Sequence, residues 1–145
     1  MKKINACKLI FPAKSMNEGF ARAAVAAFAS LADPTVEELG DLKTAVSEAV
    51  TNAVVHAYRD RAGDVTLDMS LYEGGLLRIK VKDKGVGIEN VDLARTALYT
   101  TGGEERSGLG FTVMESFCDK VSVKSAPGRG TAVTLEKRIQ GKPCR

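Results

Sequence analysis

Three residues of types that do chemistry recur at four-residue intervals in the segment SEAVTNAVVHAY, residues 47–58. Glu48, Asn52 and His56 occupy positions i, i+4 and i+8, so on a helix they lie along one edge. A carboxylate such as Glu48 can accept a proton or position a water. The amide oxygen of Asn52 suits Mg²⁺, which takes few protein ligands and keeps waters and phosphate oxygens. Each residue alone is more typical of a solvated helix face, and it is the combination that indicates a site.

A second candidate lies where a predicted strand meets two glycines, in DKGVGI, residues 83–88. An ionised Asp83 carboxylate only accepts hydrogen bonds, so at a pocket floor it could read an exocyclic amine such as that of adenine. Gly85 and Gly87 let the backbone approach a flat ligand without Cβ clashes. The same residues also fit a plain turn after a strand, and this segment alone does not decide between the two.

A third candidate is the pair Gly108 and Gly110, which lies in ERSGLGF before a predicted helix. Free N–H groups at a helix start and the helix dipole both favour a phosphate there. Many loops end in glycine before a helix, so this signal is weak by itself, and the P-loop pattern GxxxxGK[ST] is absent. The three segments together argue for a functional site rather than for three unrelated structural features.

The segment 47–58 belongs to a helix predicted from Thr35 to about Arg59. Thr35 and Glu38, three residues apart, are typical of a capping box at its start. Its apolar residues follow the helical period and predict a stripe that packs against a sheet. They are Leu42, Val46, Val50, Ala53, Val54 and Ala57.

Alternating apolar and polar residues predict strands at 65–71 and 77–83, joined by a turn as a hairpin. Further strands are predicted at 6–11, 120–125 and 131–137, and further helices from Asn17, near 91–98 and at 111–117. The apolar residues of the helix from Asn17 are Phe20, Ala24, Ala27, Phe28 and Leu31. The order is β, α, α, β, β, loop, α, β, β. Consecutive hairpins predict a mixed, mostly antiparallel sheet with helices on one face, which is a two-layer α/β sandwich.

Length and composition restrict the class of protein. The 145 residues predict one domain, residues 1–145, with its core at about 8–137. The net charge of +3 favours neither a nucleic-acid nor a membrane partner. The chain shows neither an apolar run long enough for a transmembrane helix nor a signal peptide. Three scattered cysteines without CxxC spacing predict free thiols and a cytoplasmic location.

The candidate segments resemble the N box and the two glycine boxes of the GHKL (Bergerat-fold) ATPase superfamily, which contains gyrases, chaperones, histidine kinases and mismatch-repair proteins. Longer stretches are similar to the bacterial anti-sigma factor serine kinases, and among these to the sporulation members. They are SMNEGFARAAVAAF, LADPTVEELGDLKTAVSEAVTNAVVHAY and ERSGLGFTVMESFCDKVSVKS. The resemblance covers about residues 8–137 and implies a Bergerat ATP-binding fold.

The resemblance also implies roles, with ATP and Mg²⁺ as cofactors. Glu48 matches the catalytic base and Asn52 the Mg²⁺ ligand, while His56 is interpreted as a supporting residue. Asp83 matches the adenine-reading aspartate. The remaining nucleotide-binding positions that it implies are Gly85 and Gly87 beside the base, Thr131 at the adenine end, and Thr100, Thr101, Arg106, Ser107, Gly108, Leu109 and Gly110 in an ATP lid. A solvated lid charge is an equally good interpretation of Arg106.

One departure from the family pattern concerns the lid. Members of the family carry a longer lid with a lysine soon after the paired threonines. In this chain Gly102 and Gly103 follow instead. A lysine contact from the lid to phosphate is therefore not expected here, and lid closure is expected to be looser.

The resemblance implies a serine kinase that sequesters a sporulation sigma factor and uses Mg-ATP to phosphorylate a serine on an anti-anti-sigma partner, as a homodimer. Arg22 is proposed as a partner contact, opposite a predicted apolar stripe of Phe20, Ala24, Ala27 and Leu31; a solvated arginine fits the sequence equally well. A general-stress anti-sigma kinase and a nucleotide-switched binding module remain alternatives. A histidine kinase is disfavoured, because the only histidine lies inside the N box.

Overall fold

The computed structural model describes residues 2–58, 62–88 and 107–141. Five strands and three helices lie in these ranges. The strands are β1 (Lys3–Pro12), β2 (Asp64–Tyr72), β3 (Leu76–Asp83), β4 (Lys120–Ala126) and β5 (Gly130–Arg138). The helices are α1 (Met16–Ala29), α2 (Val36–Asn52) and α3 (Ser107–Phe117). A 3₁₀ turn, Ser30–Ala32, follows α1, and a π-helical turn, Ala53–Ala57, continues α2.

The strands form one sheet in the order β1-β2-β3-β5-β4. Every described pair of neighbouring strands is antiparallel. Asp83, the last residue of β3, is paired with Thr131 near the start of β5. Ala126, the last residue of β4, pairs with Gly130, so the end of β4 lies near the end of β3 and the start of β5. The predicted two-layer α/β fold is confirmed, and the described sheet is wholly antiparallel.

One face of the sheet is apolar and carries the helices. In β2 and β3 the buried residues alternate with polar ones that point away from the core, as a half-buried strand requires. The predicted stripe of α2 packs into the same core, where Val46 and Val50 are fully buried. The members of the core that the sheet contributes include Val65, Leu67, Met69, Leu71, Leu77, Ile79, Val81, Val133 and Leu135.

The start of α2 follows the predicted capping box. The Thr35 hydroxyl accepts the Glu38 N–H at 3.1 Å, and the Glu38 carboxylate accepts the Thr35 N–H at 3.0 Å. The same carboxylate accepts the N–H groups of Gln140 and Gly141. Burial by itself raises the pKa of Glu38, but these donors together hold that pKa below its ordinary value. Glu38 therefore fastens the chain after β5 to the first turn of α2.

The end of α2 differs from the prediction of one regular helix to Arg59, a residue that itself lies outside the described ranges. The regular α-helix ends at Asn52, and five residues of π-helix follow. Tyr58 then leaves the helical conformation, with φ −118° and ψ 61°. A single π-helical turn inside a helix is frequent at functional sites. The change occurs directly after the predicted metal ligand.

The apolar pattern predicted for α1 is confirmed at Phe28, but its other positions are wrong by one residue. The buried residues are Ala21, Val25, Phe28 and Ala29. Phe20 is 52% exposed and Leu31 is 62% exposed. Because α1 is rich in alanine, two neighbouring sets of positions satisfy the same helical spacing, and the spacing alone cannot select between them.

Two further boundaries concern the third predicted helix and the segment before it. The prediction started this helix at Phe111, whereas α3 includes the glycine pair and extends from Ser107. The helical patch predicted near 91–98 lies outside the described residues. In the described part of the chain, none of the helices is both long and apolar enough to cross a membrane.

Candidate nucleotide site

The carboxylate of Asp83 is held at the end of β3 by backbone donors from two other segments. Its Oδ1 accepts the N–H of Gly85 at 2.9 Å and the N–H of Thr131 at 3.2 Å. Burial raises the pKa of Asp83, and these two hydrogen bonds oppose that rise. An oriented, half-buried acceptor at a strand end is suited to bind a donor group of a ligand. We call Asp83, Gly85, Ser125 and Thr131 the base end.

The first glycine segment packs tightly against the end of the π-helical turn. The Val86 N–H donates to the Ala57 carbonyl at 2.9 Å. A Cβ on Gly85 would collide with that same carbonyl oxygen. Gly87 adopts a positive φ of 76° and lies equally close to the Ala126 carbonyl. The two glycines therefore let this loop fit between the end of α2 and the end of β4.

Ser125 is a member of the base end that the sequence-based prediction missed. Its Oγ accepts the Ile88 N–H at 2.7 Å, lies 2.7 Å from the Thr131 hydroxyl and 3.0 Å from the Gly130 carbonyl. Val121, Val123 and Ser125 alternate along β4, so Ser125 lies on the same core-facing side of the strand as the two valines. A hydroxyl in that apolar series was the signal that could have identified it.

Tyr58 was also missed. Its hydroxyl donates to the Asp64 carbonyl at 2.8 Å and accepts the Lys84 N–H at 2.6 Å. The ring lies directly over Gly63, where a Cβ would collide with it. Tyr58 thus joins the end of the π-helical turn to the start of β2 and to the residue after Asp83.

The second part of the site, which we call the phosphate end, consists of Glu48, Asn52 and Gly110. A Cβ built on Gly110 would lie 3.2 Å from Asn52 Nδ2 and 3.3 Å from Glu48 Oε2. Gly110 is itself buried in the first turns of α3. A side chain at position 110 would therefore crowd both polar side chains of α2, which would have to shift by a few tenths of an ångström.

The amide oxygen of Asn52 is buried and has no hydrogen-bond partner among the described residues. Leaving such an oxygen unpaired costs free energy, so its presence calls for a ligand. A neutral oxygen is a suitable ligand for a hard cation such as Mg²⁺. Groups of three or more acidic, cysteine or histidine ligands are absent from the described residues. The residues present thus fit a cation that is held by few protein atoms and by phosphate oxygens.

The two ends are linked through one helix. Asn52 and Ala57 are five residues apart and lie at the two ends of the π-helical turn. Ala57 contacts the glycine loop of the base end, while Asn52 contacts α3. Asp83, Ser125 and Thr131 of the base end also line a groove of about 910 Å³, together with Lys8, Lys82 and Lys124 among others.

Several predicted positions cannot be placed. Thr100, Thr101 and Arg106 lie outside the described residues. The side chains of His56, Ser107 and Leu109 are not described, although their backbones belong to the π-helical turn and to α3. Gly108 belongs to the first turn of α3.

Arg22 does not extend freely into solvent. Its Nη1 binds Glu18 Oε1 at 2.9 Å and lies 3.3 Å from Ser47 Oγ. The guanidinium therefore connects α1 to the residue directly before Glu48. Its side chain remains 43% exposed, so a partner can still reach it.

Comparison with known proteins identifies the family of this chain. The profile of the histidine kinase-like ATPase domain matches residues 11–137. The chain is 52% identical over 136 residues to the anti-sigma F factor of Clostridium acetobutylicum, covering 93% of this chain and 94% of that protein. It is 49% identical over 136 residues to the anti-sigma F factor of Geobacillus thermodenitrificans, with 93% of each covered.

Solved structures show the same fold. The histidine kinase domain of a blue-light activated histidine kinase from Erythrobacter litoralis matches with a TM-score of 0.60 at 25% identity, over 84% of this chain and 61% of that one. A Mycobacterium tuberculosis structure of RsbU and RsbW domains matches with a TM-score of 0.71 at 22% identity. That match covers 98% of this chain and 34% of the other.

These matches establish the class. The chain belongs to the family of histidine kinase-like ATPase domains. Within that family it is similar, over almost its whole length, to proteins named anti-sigma F factors. An ATPase domain implies that ATP is bound.

Proposed function

We propose that this protein is an anti-sigma factor and a protein serine kinase. In this proposal it sequesters a sporulation sigma factor and phosphorylates a serine of an anti-anti-sigma partner with Mg-ATP. The observation that carries the proposal is that Glu48 and Asn52 lie together against Gly110 of α3. The Asn52 amide oxygen is buried there and has no hydrogen-bond partner among the described residues. The similarity to anti-sigma F factors supports the choice of partners.

The catalytic roles follow from the chemistry of the side chains. Glu48 accepts the proton of the attacking serine hydroxyl. Asn52 would supply one oxygen ligand to Mg²⁺. Gly110 of α3 lies against both Glu48 and Asn52 without crowding them. Mg-ATP, when bound, supplies the γ-phosphoryl group and the cation that neutralises its charge. Both protein groups lie on one rigid helix, which favours accurate positioning.

The base end selects and holds the nucleotide in this proposal. Asp83 and Thr131 contact the base, and Gly85 and Gly87 let the loop backbone approach it. The lid then covers the phosphates, with Thr100, Thr101, Arg106, Ser107, Gly108 and Leu109 as its contacts. We treat residues 1–145 as one kinase domain.

The partner surface is proposed to lie on α1. Two large apolar side chains of α1 are exposed, Met16 by 79% and Phe20 by 52%, and Leu31 in the 3₁₀ turn that follows is 62% exposed. An exposed apolar patch beside polar residues is typical of a protein interaction site. Arg22 lies on the opposite side of α1 from Phe20, since the two are two residues apart on a helix. It contacts Ser47 of α2, next to Glu48, so a partner that binds Arg22 would lie near the kinase site.

The remaining parts of the proposal are a homodimer and a cytoplasmic location. The β1 strand is at the edge of the described sheet, and its Ile4 and Ile10 are 56% and 64% exposed. An exposed edge strand with apolar side chains favours pairing with another chain. Light scattering of the wild type and of the Ile10→Lys variant measures this directly; a monomeric wild type would contradict it.

The kinase function is tested with γ-labelled ATP and a purified anti-anti-sigma protein. We expect label on a serine of that protein, and none when Mg²⁺ is chelated. A parallel pull-down measures binding of a sporulation sigma factor. If the sigma factor is bound but no phosphoserine forms, the protein is a nucleotide-switched binding module. If a general-stress sigma factor is preferred, the regulatory assignment is wrong.

Arg22 is tested separately from catalysis. We expect Arg22→Glu to weaken binding of at least one partner by about tenfold, the range for a charged hydrogen bond at an interface. Unchanged affinity for both partners would show that Arg22 only connects α1 to α2. Lys43→Glu, on α2, is a charge-matched control.

A further inference from the structure

Ser125 is the most hydrogen-bonded side chain of the base end, and its role is not explained by packing alone. Its Oγ is in contact with the Ile88 N–H, the Gly130 carbonyl and the Thr131 hydroxyl. A serine hydroxyl has one proton to donate and two lone pairs to accept with. Three neighbours therefore use its full capacity.

The directions of these three hydrogen bonds can be deduced. A backbone N–H only donates, so Ile88 uses one lone pair of Ser125. A backbone carbonyl only accepts, so the single Ser125 proton is directed to Gly130. The Ser125–Thr131 contact at 2.7 Å is then a hydrogen bond only if the Thr131 hydroxyl donates to Ser125. This is the one arrangement in which all three contacts are hydrogen bonds.

The consequence concerns what Thr131 offers to a ligand. With its proton directed at Ser125, the Thr131 hydroxyl has only lone pairs left. Asp83 next to it is also an acceptor, and both N–H groups that it binds go to Oδ1. Among the described residues this leaves Asp83 Oδ2 free for a ligand. A bound base therefore meets two acceptors side by side.

We propose that Ser125 is a specificity-determining positioning residue, which fixes the proton of Thr131 so that the base end accepts hydrogen bonds from an amine. This inference rests on the proposed nucleotide function. The ligand that it selects is a purine with a 6-amino group. Where both acceptors face the 6-substituent, an amino group offers them protons and an oxo group offers none, so a 6-oxo purine binds more weakly.

The experiment compares the affinities of ATP and ITP, which carry a 6-amino and a 6-oxo group respectively, by calorimetry with Mg²⁺ present. We expect the wild type to prefer ATP by at least about tenfold. In Ser125→Ala the Thr131 hydroxyl can rotate and donate, so the ratio of the two affinities should fall to about threefold or less. Ser125→Thr, which retains a hydroxyl, should restore the ratio.

Matched controls separate specificity from structure. Ser122→Ala removes a hydroxyl from the other face of β4, where Ser122 pairs with Thr134, and should leave the ratio unchanged. If Ser125→Ala does not fold, Ser125→Cys retains the volume with a weaker hydrogen-bonding group, and the ratio should again fall. Equal losses of ATP and ITP affinity, or an unchanged ratio, would overturn the inference. A wild type that binds neither nucleotide would overturn the proposed function and this inference together.

Discussion

The base end and the phosphate end of the site are built on different principles. At the base end, Asp83 receives two backbone N–H groups and Ser125 takes part in three hydrogen bonds. At the phosphate end, the Asn52 oxygen is buried and has no partner within the described residues. The first region orients its acceptors through internal hydrogen bonds and still presents Asp83 Oδ2, whereas the second contains a buried oxygen that no described residue binds.

This difference indicates how the two regions contribute to binding. A hydrogen-bonded network is ordered before the ligand arrives, so little entropy is lost on binding, and selectivity is high. An unpaired buried oxygen costs stability in the free protein and recovers it when a cation binds. The base end is therefore expected to set which nucleotide binds, and the phosphate end to make binding depend on the metal.

The largest effect is expected from Glu48→Gln, which removes the proposed base and keeps its shape. We expect the rate of serine phosphorylation to fall by about 10²- to 10⁴-fold, the usual contribution of general-base catalysis. ATP affinity should change much less, because glutamine keeps the shape of Glu48 and leaves both Asn52 and the base end intact. Phosphotransfer and calorimetry measure the two effects, with Glu37→Gln on the same helix as the control. A variant that retains its activity would show that Glu48 is not the base.

Asp83→Asn tests the base end and should have the next largest effect. The substitution turns one acceptor into a donor, so ATP affinity should fall by about 10- to 100-fold, the cost of losing a charge-assisted hydrogen bond. Calorimetry measures this loss, and Asp64→Asn on β2 is a control. Unchanged ATP affinity would remove Asp83 from the base site.

The same variant has an expected pH signature. Burial raises the pKa of Asp83 above its ordinary value of 3.8, so the folded protein holds the proton more tightly than the unfolded chain does. The contribution of Asp83 to the free energy of unfolding of the wild type should therefore fall as the pH rises from 3.8 through the folded-state pKa. Asp83→Asn should lack this decrease, so the difference in melting temperature between variant and wild type should grow in the variant's favour over that range.

Asn52→Ala tests the phosphate end. Removing an unpaired buried oxygen should raise the free energy of unfolding of the nucleotide-free protein by about 1 kcal/mol, while ATP affinity loses its dependence on Mg²⁺. Asn17→Ala is a matched control, because the Asn17 amide donates to the Pro12 carbonyl at 2.9 Å and its loss should destabilise. Destabilisation by both substitutions, measured by urea unfolding, would contradict the assignment of Asn52 as an open ligand position.

The smallest effect on activity is expected from Glu38→Ala, which lies outside both ends. It removes the capping box and the contacts to Gln140 and Gly141, at a cost of about 1–2 kcal/mol or a few degrees in melting temperature. Phosphorylation rates should be unchanged. Because the pKa of Glu38 is lowered on folding, this stabilisation is present at neutral pH and is lost as the pH falls below 4.5 through the folded-state pKa. Equal melting temperatures of Glu38→Ala and the wild type at pH 7 would contradict a stabilising role of Glu38.

Much of the fold could be predicted because local patterns agree with the tertiary structure. The alternation in β2 and β3 predicted both strands to within one residue at each end. The capping box was predicted from Thr35 and Glu38 alone, since both partners lie within one turn. The stripe of α1 was misplaced because an alanine-rich helix offers several apolar faces, and only the sheet determines which one is buried.

The candidate site was predicted less evenly. The types and spacing of Glu48, Asn52 and Asp83 were sufficient to single them out. Ser125 and Tyr58 were missed, because their importance comes from partners distant in the chain: Ile88 for one and Lys84 for the other. The role of Gly110 also depends on a contact between helices, and the spacing of glycines does not report such a contact.

The Val86 amide donates a hydrogen bond to the Ala57 carbonyl, at the contact between the glycine loop of the base end and the helix that carries Asn52. The Val86 amide proton can therefore report on both ends of the site. Exchange of this proton with solvent requires the glycine loop to separate from the helix end that also carries Asn52. Nucleotide bound at either end should slow that separation. The exchange rate at Val86, followed by NMR as ATP or Mg²⁺ is added, would therefore measure how strongly recognition of the base is communicated to the phosphates.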